Sequence, residues 1–172
     1  MINRSKWVES AVLSAIVCIV PIKSIAASFL ETEMPIMEIK DEHRRAEAWG
    51  TCAAAYDLMS LMQAEASPAY SKQMSDKSNG AVLALYMDYF MGMPSEADSS
   101  QISARVKMAK VLSESIPETQ LTAMMAAGEQ SQYSEEWINS ISRTLELCLS
   151  NLDEQQQLID LWRTMYASGM FE

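Results

Sequence analysis

Basic residues are scarce in this chain of 172 residues: 13 Lys and Arg face 23 Asp and Glu, for a formal net charge of −10. An acidic surface repels phosphate backbones and anionic lipid headgroups, which argues against nucleic-acid and membrane-surface roles and favours a basic protein partner. Glycine and proline number 5 each, while 49% of the residues are hydrophobic. That balance argues against a disordered chain. The glycines are isolated, so no glycine-rich loop can cradle a phosphate. There is one histidine, His43. The chain has no H-E-x-x-H, C-x-x-C-H or Glu-x-x-His motif and no G-x-S-x-G elbow. His43 reads as a surface residue at a helix start, with Glu47 one turn on. These absences point to a non-enzymatic protein that needs no cofactor or metal.

Long apolar runs are also missing. The stretch 11–22 is uncharged but spans only 12 residues, short of the roughly 20 that cross a bilayer. Arg4 and Lys6 precede it, Pro21 ends it, and small residues follow at 24–28. This pattern predicts a signal peptide over 1–27 and a periplasmic or secreted protein. An uncleaved anchor is the alternative, because Glu9 interrupts the basic start. Residues 1–27 carry a net charge of +2, which leaves −12 on the remainder. Cys18 would leave with the signal; Val17 before it is too large for a lipoprotein cleavage site.

What is present is helical patterning. Residues 28–40 lack sustained periodicity and read as an extended leader, with Ile36, Met37 and Ile39 able to tuck against a core. Residues 41–172 read as a single helical-bundle domain. Asp41 is a good N-cap for a first helix reaching about Ala66. Trp49, Cys52, Ala53, Tyr56 and Met59 share one face of it. A second helix is expected over 68–91, Pro at its start costing little. Small residues at Gly50, Thr51, Ala53 and Ala54, and at Ser78, Gly80, Ala81 and Ala84, suggest two helices in close backbone contact; a turn at Gly80 is the alternative. Ser95 is expected to cap a third helix that ends at Pro117, with a short helix over 118–129 to follow. Arg105, Lys107 and Lys110 read as a solvated face.

Ser134 should cap the last helix. Ile138, Ile141, Leu145, Cys148, Leu152, Gln155, Ile159, Trp162 and Tyr166 alternate three- and four-residue spacings, which predicts one long rod packed lengthwise. A new helix starting near Asp153 is the alternative.

Cys52 and Cys148 lie on the inner faces of their helices. In an oxidising compartment two such thiols become one disulfide, and their wide separation rules out a C-x-x-C redox pair. The expected fold is therefore all-α: an antiparallel bundle of four to five helices, its N- and C-terminal helices joined by Cys52–Cys148.

Methionine is enriched, at 14 residues. Met34/Met37 and Met59/Met62 have M-x-x-M spacing, which suits Cu(I) but equally marks one packed helix face. Tyr86, Tyr89, Phe90, Met91 and Met93 form the best candidate partner patch. The functional expectation is an exported acidic protein that works through protein–protein contact, as an inhibitor, immunity-type partner or assembly subunit. The alternative is a periplasmic carrier of copper or a small apolar ligand.

Overall fold

Five α-helices follow one short 3-10 turn in the computed structural model, which describes residues 29–30 and 34–169. The expected signal segment lies outside the described residues. The turn is Ile36–Glu38, and the helices are α1 Glu42–Gln63, α2 Pro68–Met91, α3 Ser99–Gln130, α4 Glu135–Ser150 and α5 Leu152–Ala167. All regular structure among the described residues is helical.

Local chemistry sets most of the helix ends. The Asp41 carboxylate accepts from the Arg44 N–H at 2.9 Å and opens α1. Ser134 accepts from the Trp137 N–H at 3.3 Å and opens α4. Both use a short oxygen side chain to satisfy an orphan N–H of the first turn. The third helix is capped by Asp98 rather than Ser95. Asp98 Oδ1 accepts from the Gln101 N–H at 2.8 Å, and Gln101 Oε1 accepts from the Asp98 N–H at 2.9 Å. This reciprocal pair is a capping box, readable from D-x-x-Q.

Pro117 does not end α3; it lies buried inside a single 32-residue helix, and the separate helix expected over 118–129 is the second half of that rod. An interior proline costs about 3 kcal/mol. Burying Ala109, Ser113 and Met124 on one side of the proline or the other offsets that cost.

Helix order follows from the contacts. Ser60 meets Ser71 and Arg45 meets Asp88, so α1 and α2 run antiparallel. Arg105 meets Glu42, and a side chain at Gly50 would run into Ile116, so α3 runs parallel to α1. The glycines therefore do something other than bring α1 and α2 together. Gly50 receives Ile116 of α3, and Gly80, inside α2 rather than in a turn, receives Gln155 and Ile159 of α5.

The main core gathers Trp49, Cys52, Tyr56, Leu85, Met87 and Cys148, with Leu158 and Met165 of α5 closing one side. A second core of Ala54, Ala55, Leu58, Met124, Trp137 and Ile141 lies towards the end where α1 passes into α2 and α3 into α4. The Trp137 indole donates to the Met124 carbonyl at 3.0 Å, which ties α4 to α3 there.

Cys52 and Cys148 form a disulfide with Cα atoms 5.4 Å apart. It links α1 to α4, not to the last helix, because the rod expected over 134–169 is broken at Asn151. The Asn151 N–H bonds Cys148 O at 3.1 Å instead of Leu147 O. The Asn151 side-chain amide takes the Leu147 carbonyl at 2.7 Å. A side chain that competes for the helix's own acceptor ends the helix. The other end of that amide accepts from the Ile36 N–H at 2.8 Å, so the α4–α5 joint also anchors the leader. Ile36 is thereby buried at 1% exposure and Ile39 is half-buried, as the expected tuck allowed, while Met37 is exposed; residues 36–38 form a docked turn within the leader.

Candidate functional site

The aromatic and methionine side chains picked out near the end of α2 are mostly inside the protein. Tyr89 and Phe90 are buried, Tyr86 and Met93 are half-buried, and only Met91 is exposed. Tyr86 and Phe90 stack with centroids 6.3 Å apart. Tyr89 carries the Arg105 guanidinium 3.7 Å above its ring. Arg105 Nε also donates to the Tyr89 carbonyl at 2.7 Å, and its other arm pairs with Glu42. Arg105 is thus drawn away from the exposed Lys107 and Lys110, and the expected basic face loses its first member. The exposed His43 lies with its ring 6.2 Å from Tyr89. This constellation tightens the junction of α1, α2 and α3; it does not form a continuous surface.

Two other regions have the form of a site. The first is a cleft of about 590 Å³ between the leader and α1, reaching Gln120 of α3. Leu30, Ile39, Ala48 and Thr51 contribute to its lining along with the charged Lys40, Arg44 and Glu47.

The second region is the end of the molecule formed by the α1–α2 and α3–α4 turns. It was not legible as a site in the sequence, because its parts come from four helices. Leu61 and Met62 lie one turn beyond Leu58 of the second core and are 60% and 52% exposed. Ile138 lies one turn before Ile141 and is 50% exposed. Tyr70, Met125 and Tyr133 are exposed at the same end. Large apolar side chains that continue a buried cluster into solvent are the kind of surface proteins reserve for contacts.

The turn that presents Tyr133 is strained. Gln132 and Tyr133 have φ of 53° and 56°, in the left-handed region. The Tyr133 N–H reaches Gly128 O at 2.7 Å and the Gln132 N–H reaches Glu129 O at 3.1 Å, closing α3 with a Schellman motif. Glycine normally occupies the first of these positions; here Gln132 does. Tyr133 packs edge-on against Trp137 with centroids 5.4 Å apart. Both rings lie so close to Gly128 that a side chain there would meet each of them at 2.9 Å.

Charge is distributed unevenly along the chain. Residues 46–71 and 111–142 contain no Lys or Arg and carry Glu47, Asp57, Glu65, Glu114, Glu118, Glu129, Glu135 and Glu136. Glu136, in the first turn of α4, is held below the usual carboxylate range by its own backbone N–H and by the Ser134 hydroxyl, so it stays ionised.

Among the described residues, no group of three His, Cys, Asp or Glu side chains could hold a metal ion. Met87 is buried, whereas Met34, Met37, Met62 and Met91 are exposed. No described helix is long and apolar enough to cross a membrane. The chain matches no family model, and no curated protein or solved structure shows significant similarity to it.

Proposed function

We propose that this is an exported, non-enzymatic protein that works by contact with a basic protein partner, as an inhibitor, immunity-type protein or assembly subunit. The observation that carries the reading is the coincidence, at one end of the bundle, of exposed apolar side chains with the exposed Glu65, Glu129, Glu135 and Glu136. Acidic fields steer basic partners and speed their encounter, and apolar anchors then hold them. The Cys52–Cys148 bond suits an oxidising compartment, as export would require. The test is affinity purification of the full-length protein from its native envelope fraction. A stoichiometric basic protein is the expected companion; a preparation with no protein above background would overturn the reading.

The cleft beside the leader favours a second reading, carriage of a small apolar ligand. Its volume lies within the range of small-molecule sites, and its mixed lining offers apolar contact and a charged rim. Native mass spectrometry of protein purified without detergent separates the two, because a carrier retains a bound small molecule. Copper carriage has no comparable observation behind it; elemental analysis after Cu(I) challenge under reducing conditions would reveal it.

A further inference from the structure

We infer that the end of the bundle bearing Leu61, Met62, Met125, Tyr133 and Ile138 is the docking surface, and that its occupant is a basic amphipathic helix of a partner protein. The inference rests on the contact reading above and adds the place and the chemistry of recognition. Helix directions place these side chains at the same end of the molecule. The C-terminal ends of α1 and α3 and the N-terminal ends of α2 and α4 all lie at this end, as the Ser60–Ser71 contact and the Leu58–Met124–Trp137 cluster require.

The surface matches one class of ligand. Leu, Met and Ile side chains can repack against a varied apolar face, and methionine-rich surfaces adapt to helices of different sequence. Glu65, Glu129, Glu135 and Glu136 surround the apolar side chains in sequence, and all four are exposed. A partner helix with Leu or Phe on one face and Lys or Arg on the other satisfies both features, whereas an acidic or purely polar segment satisfies neither. The nearest cation on α2, Lys72, is already paired with Asp76 at 2.6 Å. Tyr133 is exposed at this end and packs edge-on against the buried Trp137.

The test uses the full-length oxidised protein and two synthetic helical peptides with the same leucine pattern, one with lysine and one with glutamate on the polar face. Binding is read by fluorescence anisotropy at physiological salt. The lysine peptide should bind at least ten-fold more tightly than the glutamate peptide. Met62→Lys combined with Ile138→Lys should weaken it at least ten-fold. Met37→Lys combined with Met91→Lys, at exposed positions elsewhere, makes the same charge change and should weaken it less than three-fold. Equal losses in the two double variants would reduce the effect to net charge and overturn the inference. So would equal binding of the two peptides, or a self-associated protein that Met62→Lys and Ile138→Lys convert to monomer, since the occupant would then be a second copy. Native purification keeps the two readings apart. If the Met62→Lys, Ile138→Lys variant retains the native companion, the contact reading stands and this surface is wrong.

Discussion

Tyr56 and Trp49 flank Cys52 by one turn on either side, and both are fully buried, yet neither the Tyr56 hydroxyl nor the Trp49 indole N–H has a hydrogen-bond partner. A buried polar atom without a partner costs about 1–3 kcal/mol. Burial also pushes the Tyr56 phenol well above the usual tyrosine range. The sign follows from linkage. The unfolded chain releases this proton near pH 10 while the folded chain keeps it, so stability is lost as pH rises beyond that point. Tyr56→Phe should therefore be neutral or stabilising at pH 7 and should flatten the alkaline loss, as urea titrations at pH 7 and above pH 10 would show. Tyr86 is shifted the same way by burial, so some alkaline slope will remain in the variant. Asn151 is the opposite case, a buried polar residue with partners at both ends of its amide. Asn151→Ala strands the Ile36 N–H and should cost about 1–3 kcal/mol. The diagnostic readout is hydrogen exchange: the Ile36 amide should lose protection even where the helices keep theirs.

At the scale of helices, close packing decides what local rules leave open. Glycine inside a helix is unfavourable by about 1 kcal/mol relative to alanine, yet Gly50 sits mid-α1 because Ile116 of α3 fills the space a methyl would need. Gly50→Ala should destabilise by about 1–3 kcal/mol through overpacking. In an Ile116→Ala background the same change should become neutral or favourable, a coupling that a double-mutant denaturation cycle measures directly. At the end of α3, Gln132 holds a left-handed conformation that costs a non-glycine residue about 1–2 kcal/mol. Gln132→Gly should stabilise by about 1 kcal/mol or less, since glycine loses more backbone freedom on folding. Thermal melts would show this as a modest rise in Tm. Capping was legible from local sequence at Asp41, Ser134 and, for a reader alert to D-x-x-Q, Asp98. The continuity of α3 through Pro117 was not, because proline's cost is local while the packing that offsets it comes from α1 and α2.

For the whole molecule, the disulfide encloses a loop of 96 residues between α1 and α4. In the chain-entropy model a loop of that size is worth up to about 4.7 kcal/mol. Cys52→Ala with Cys148→Ala should lower stability by a few kcal/mol in urea denaturation while far-UV circular dichroism stays helical, because the two cores do not depend on the sulfurs alone. Pairing of Cys52 with Cys148 was readable without coordinates: both sit on inner helix faces and no other pairing remained once Cys18 was assigned to the signal. The expected partner patch is only partly at the surface. Aromatic and methionine density near Tyr86–Met93 signalled burial as much as contact, and the fold buries Tyr89 and Phe90.

Helical class, most helix starts and the sulfur pair are properties of short range, governed by a 3.6-residue period, by side-chain oxygens within one turn of an orphan N–H, and by counting thiols. The choice between one continuous rod and a new helix near Asp153, which the sequence left open, and the acidic, apolar end are not of that kind. Asn151 breaks its helix at the point where its amide also holds Ile36, 115 residues away in sequence. The exposed end exists only because packing sets α1 and α3 parallel and turns α2 and α4 back beside them. Which apolar side chains are left in water is settled by what the other helices already cover, and that is a property of the assembled core rather than of any one stretch of chain.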